Sequence, residues 1–129
     1  MAKVLGVGGV FFKCRDKAAL GAWYQEHLGM QINEYGGMEF EFKSAPKGGY
    51  CVWGPFSDET DYFSPSTKPF MINLIVDNLE AVLKKAQEGG ATLVGEIEES
   101  QYGRFGWFLD PENNKVELWQ PNPDFQFAK

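Results

Sequence analysis

Glu117 has the most chemistry to offer in this chain. It stands in a short run, Lys115 to Trp119, where Val116 and Leu118 alternate with Lys115, Glu117 and Trp119. Successive side chains of a strand point to opposite faces, so Val116 and Leu118 share one face and Lys115, Glu117 and Trp119 the other. The first set suits a core. A carboxylate close to an indole in mid-strand suits the wall of a pocket. Drawn out of bulk water there, it could act as a general base or accept a hydrogen bond from a ligand. The other reactive residues are sparse. The single His, His27, lies at the end of a predicted helix, where a cation is favoured, and reads as structural. Cys14 and Cys51 form no disulfide framework, and Cys51 lacks the basic neighbours of a reactive thiol.

Glu117 is positioned by a hairpin spanning Gln101 to Pro121. Phe105 to Leu109 is aromatic and strand-like, and Asp110-Pro111-Glu112-Asn113-Asn114 is a turn. There proline presets φ and Asn tolerates the left-handed region. Pro121 ends the second strand.

Composition bounds the rest. The chain has 129 residues, enough for one domain with a core. Hydrophobic residues at 43% argue against disorder, and aromatics at 16% exceed what a small core needs. The net charge of −6 argues against nucleic-acid binding, which needs a basic face, and would draw cationic ligands. No apolar run is long enough for a membrane span, and the N-terminus has no signal-peptide pattern, so the expected location is cytoplasmic.

In chain order, Val4 to Cys14 reads as a strand weakened by Gly6, Gly8 and Gly9, whose spacing is not that of a dinucleotide loop. Asp16 caps a helix over Lys17 to His27, ended by Gly29. Met30 to Tyr35, Met38 to Lys43 and Gly49 to Trp53 read as strands. A turn-rich acidic connector follows. Its residues Asp58, Glu59 and Asp61 read as a solvated loop, while Tyr62 and Phe63 could make it a lid. Then the pattern repeats: strand Phe70 to Val76, a cap at Asp77 or Asn78, helix Leu79 to Glu88, strand Thr92 to Ile97, and the hairpin. Asp16 and Asp77, Leu28-Gly29 and Gly89-Gly90, Trp53 and Trp119, Pro55 and Pro121 fall at matching places, a weak internal duplication. The expectation is one α+β domain of two βαβββ modules with a mixed, mostly antiparallel sheet. Module 1 spans residues 1–54, the connector 55–69 and module 2 70–129.

The string GRFGWFLDPENNKVELWQP closely resembles the closing hairpin of the vicinal oxygen chelate superfamily, which holds glyoxalase I, extradiol dioxygenases, and the bleomycin and fosfomycin resistance proteins. The resemblance covers nearly the whole chain and implies the paired-module fold. It also implies that the Glu at the position of Glu117 is a metal ligand in metal-dependent members. Carried through the duplication, the family's ligand positions fall on Gly9, Cys51, Met71 and Glu117. Glycine offers no ligand, and a thioether suits hard or borderline divalent metals poorly. A catalytic site needs about three protein ligands, so the expectation is no cofactor and no metal site.

Parity then assigns a cavity wall of Gly9, Phe11, Lys13, Cys51, Trp53, Met71, Asn73, Ile75, Phe105, Trp107, Glu117 and Trp119, while Val10, Phe12, Ile72 and Leu74 face the helices. The expected ligand-binding residues are Phe11, Trp53, Met71, Asn73, Phe105, Trp107, Glu117 and Trp119, with Glu117 the candidate catalytic residue. The three tryptophans would equally pack a core or dimer seam. Glu117 would equally be ion-paired to Lys13 or Arg104. Three functions stay open: a metal-free binder of a small cationic or aromatic molecule, similar to the bleomycin resistance proteins; a lyase, isomerase or oxygenase using Glu117 as general base or residual metal ligand; and a protein-interaction module. A homodimer is expected, because a half-sheet alone leaves its aromatic face open.

Overall fold

The computed structural model describes residues 2–127. Two helices and four strands make up the regular structure of these residues: α1 (Lys17–Leu28), β1 (Ile72–Ile75), α2 (Leu79–Glu88), β2 (Thr92–Ser100), β3 (Gly103–Leu109) and β4 (Lys115–Pro121), with a short 3-10 turn at Phe42–Ser44. Each helix begins where a side chain satisfies an orphan backbone donor. The Asp16 carboxylate accepts from Ala19 N–H, and the Asn78 amide oxygen accepts from Ala81 N–H. Gly29 closes α1 at φ 72°, a left-handed turn that glycine adopts without steric cost.

The strands form one mixed sheet in the order β1-β4-β3-β2. β1 runs parallel to β4, and the β4–β3 and β3–β2 pairs are antiparallel. This is the βαβββ unit expected of the second half, in an α+β arrangement. Both helices lie on one face of the sheet. Leu20 and Tyr24 of α1, Leu79, Leu83 and Ala86 of α2, and Phe108, Val116 and Leu118 of the sheet form the buried core. The alternation in β4 therefore does what periodicity predicts: Val116 and Leu118 face the helices and Glu117 faces away.

The hairpin turn also clasps α1. Asp110 accepts from the backbone N–H groups of Glu112 and Asn114, and Asn113 sits at φ 62°. Glu112 then accepts from Arg15 N–H at 2.9 Å and Asp16 N–H at 2.8 Å, and the Tyr24 hydroxyl donates to Asp110 at 2.9 Å.

The first half departs from expectation. Val4 to Cys14, Met30 to Tyr35, Met38 to Lys43 and Gly49 to Trp53 carry no strand pairing, although Asn33–Gly37 makes the hydrogen-bonded turn of a hairpin. Strand propensity is realised only when a neighbouring backbone accepts the ladder, and these segments find none among the described residues. Gly6, Gly8 and Gly9 weaken the first of them further. Val10 and Phe12, expected against the helices, are exposed, and Phe12 instead lies 5.9 Å from the ring of Phe70.

Candidate functional site

The sheet register builds the site. Glu117 stands opposite Asn73 in the β1–β4 pairing and opposite Trp107 in the β3–β4 pairing. The row Asn73–Glu117–Trp107 crosses three strands on the face turned away from the helices. Side chains directly opposite on one face are within reach of each other. Accordingly, Asn73 Nδ2 donates to Glu117 Oε1 at 2.7 Å, and Trp107 Nε1 donates to Glu117 Oε2 at 2.8 Å. A third donor comes from the connector: Tyr62 Oη donates to Oε2 at 2.6 Å. Glu117 is 8% exposed, so these hydrogen bonds replace most of the water it gave up.

Lys115 shares this face. Its ammonium donates to the backbone oxygen of Tyr62 at 2.6 Å and lies 5.2 Å from the Tyr62 ring centroid and 5.8 Å from that of Trp107. Burial pushes the amine below the ordinary lysine value, while Glu117, Asp61 and Glu98 pull the other way. The phenol of Tyr62 is pushed up, first by burial and then by its bond to Glu117, so it remains a protonated donor.

A second part of the same face is aromatic. Phe105 and Trp119 lie parallel, with rings 4° apart in orientation and 6.1 Å between centroids. Tyr50 meets Trp119 edge-on at 4.7 Å, and Trp119 Nε1 donates to the Tyr102 carbonyl at 2.9 Å.

Of the residues expected at the site, the structure gathers Asn73, Trp107 and Glu117 into one hydrogen-bonded group. Phe105 and Trp119 stand next along the same strands, and Met71 is half-buried just before β1. Phe11 and Trp53 do not join them. They are 95% and 82% exposed and wall nothing within the single chain, because the segments carrying them have no sheet to dock on. The expected ion pairs are also replaced. Arg104 is held by Glu80 at 2.7 Å and Glu99 at 3.1 Å, and Lys13 lies beside Cys14, Arg15 and Lys68 around a separate cleft. Among the described residues Glu117 has neutral donors instead of an ion-pair partner. Two participants were underused by sequence reasoning. Lys115 was visible two residues before Glu117 and so on its face. Tyr62 was visible as an aromatic of a loop that could serve as a lid, but not as a partner of Glu117, since nothing in a loop's sequence reports which strand it folds over.

The donor set fits a divalent metal poorly. At the four family positions Gly9 has no side chain, Cys51 is exposed, Met71 offers a thioether, and both oxygens of Glu117 already accept hydrogen bonds. What the arrangement does offer is a desolvated acceptor, framed by indole and phenol rings, with a cation beside it.

The family described as Glyoxalase-like domain matches residues 9–119. Two solved structures with TM-scores above 0.5 share the fold, and a third is similar at a lower score. A crystal structure of TnmS3, an antibiotic binding protein from Streptomyces sp. CB03234, has a TM-score of 0.51 and 21% identity, covering 84% of this chain and 89% of that one. A protein of unknown function from Agrobacterium tumefaciens str. C58 has a TM-score of 0.53 and 18% identity, covering 90% and 98%. A member of the Glyoxalase/bleomycin resistance protein/dioxygenase superfamily from Sphaerobacter thermophilus DSM 20745 has a TM-score of 0.49 and 22% identity, covering 93% and 98%. No curated protein matches the sequence.

Proposed function

The chain belongs to the glyoxalase-like domain family, and on that premise we propose that it is a metal-free protein binding a small organic molecule on the Glu117 face of its sheet. One observation carries this reading: a buried carboxylate held by three neutral side-chain donors within an aromatic setting. Pockets for small molecules have this make-up, mostly apolar with a few placed polar groups. A carboxylate kept only for stability would more commonly meet a cationic partner. The TnmS3 structure, described as antibiotic binding, shares the fold, and that use of the fold is in keeping with a ligand here.

The position of Lys115 argues about charge. The net charge of −6 favours cationic ligands at long range, but a desolvated ammonium beside Glu117 disfavours a second cation at close range. A neutral hydrogen-bond donor is the better match. A catalytic role for Glu117 as base is the weaker reading, because no second carboxylate or His stands among its hydrogen-bond partners to complete an acid–base pair.

The protein acts as a homodimer in this proposal. The outer edge of β1 is unpaired among the described residues, and Val4, Leu5, Phe11, Val52 and Trp53 are exposed on the segments of the first half. Exposed apolar surface and an open strand edge both call for a partner. Light scattering at micromolar concentration should give twice the chain mass of 14.5 kDa; a monomer would contradict it. No helix among the described residues is long and apolar enough to cross a membrane.

The binding function is tested by screening flat-ring compounds for thermal stabilisation of the native chain and of Glu117→Gln. Ligands of this site should raise the melting temperature of the native chain and lose that effect in the variant. If no compound does so, or if every shift is the same in both proteins, the binding site is not at Glu117.

A further inference from the structure

The donors on Glu117 are not equivalent. Asn73 and Trp107 are placed by strand register, one on each side of β4, on backbones that the sheet ladder fixes. Tyr62 comes from the connector and is 39% exposed as a residue, so core packing does not hold it in place. Its backbone is tethered separately, through the Lys115 ammonium on its carbonyl oxygen. The side chain can therefore rotate away while the connector stays docked.

The surroundings of that side chain suit a flat ring, and its one polar contact there suits a hydroxyl. Phe56 stacks on it with ring planes 15° apart and 5.6 Å between centroids. Trp107 meets it edge-on at 6.4 Å, and Lys115 places a cation near one face at 5.2 Å from the centroid. Cations favour electron-rich rings, and phenol is one. The hydroxyl then reaches Oε2 at 2.6 Å, the shortest of the three bonds to Glu117. Two open clefts exist elsewhere, between α2 and the β2–β3 pair and beside Lys13, and neither includes Glu117 in its lining. The space over Glu117 is taken by Tyr62.

We infer that the ligand of this site is a flat ring bearing a hydroxyl donor, a phenol or an enol, and that Tyr62 is its internal stand-in, displaced when the ligand binds. The inference rests on the Glu117 face being the binding site. It adds the chemical class of the ligand and names Tyr62 as the residue whose place it takes. No bond is made or broken: one O–H···carboxylate hydrogen bond is exchanged for another.

The test uses Tyr62→Ala in the full-length chain, with p-cresol, toluene and 4-methylbenzylamine as probes in titration calorimetry. The variant should bind p-cresol about tenfold tighter than it binds toluene, the scale of one hydrogen bond to a charged acceptor. It should also bind p-cresol more tightly than the native chain does, and the amine least well. Equal binding of toluene and p-cresol, or a preference for the amine, overturns the ligand class. So does failure of all three probes to bind the variant. Any of these results leaves the Glu117 site standing if the native chain still shows Glu117-dependent ligands in the thermal screen. Should Tyr62→Ala not fold, Tyr62→Phe keeps the ring and frees the acceptor. It should then bind p-cresol more tightly than the native chain, and equal affinity overturns the inference.

Discussion

Asn73 and Glu117 are paired residues of parallel strands β1 and β4, and the Asn73 amide donates to the Glu117 carboxylate at 2.7 Å. Glu117 therefore ties the edge strand to its neighbour through side chains as well as backbone, and it satisfies Trp107 and Tyr62 in the same way. Glu117→Leu should lose stability by about 1–2 kcal/mol, because it strands the buried Trp107 indole N–H and removes the bonds from the more exposed Asn73 and Tyr62. Urea unfolding followed by tryptophan fluorescence measures this. A change below about 0.5 kcal/mol, the ordinary range for surface positions, would mean that the network contributes nothing to the fold.

Lys115 fastens the connector by donating to the Tyr62 carbonyl and lying close to two aromatic rings. Lys115→Met keeps most of the side-chain volume and removes the donor. Limited proteolysis should then cut faster within residues 55–69, while the sheet stays protected in hydrogen exchange. Unchanged cleavage would show that the connector is held by its aromatic contacts alone.

Glu112 clasps α1 to the hairpin turn. Its carboxyl is held below the ordinary glutamate value, first by the Arg15 backbone N–H and then by that of Asp16. A group whose pKa is depressed on folding stabilises the fold above its unfolded value and loses that contribution as pH falls through the folded one. Stability should therefore decline below about pH 4.5, the ordinary value of the group. Glu112→Gln should be less stable at neutral pH and show a shallower acid limb. A parallel acid limb in native and variant proteins would assign the decline to other carboxylates.

The poor fit of Gly9, Cys51, Met71 and Glu117 to a divalent cation has a direct consequence. Purified protein should carry far less than one equivalent of any divalent metal, and a chelator should leave its melting temperature unchanged. Elemental analysis and a thermal melt with and without chelator check both statements. A chelator-sensitive melt would mean that other donors complete a site around Glu117.

The second half of the chain was legible because its signals are local. Asn78 caps α2 through its own side chain, the Asp110–Asn114 turn carries its own hydrogen bonds, and the alternation in β4 sorts Val116 and Leu118 from Glu117. Those preferences act over a few residues, so they can be read without knowing the fold. Glu117 was recognisable as unusual for the same reason: polarity in mid-strand between core residues is a property of the sequence.

Which groups meet Glu117 was decided by tertiary structure. Asn73 and Trp107 reach it because a parallel and an antiparallel register coincide at one row, and a shift of either by one residue would turn the partner to the other face. Tyr62 reaches it through a loop whose backbone accepts a hydrogen bond from Lys115. The first half makes the complementary case. Its apolar alternation around Phe11 and Trp53 reads as strand, but strands need neighbours, and a pattern of side chains does not say whether a partner backbone is at hand. The sequence by itself determined the elements of the second half and the oddity of Glu117. The tertiary structure chose that residue's partners, because hydrogen bonds across strands and from loops depend on registers and paths that no single segment encodes.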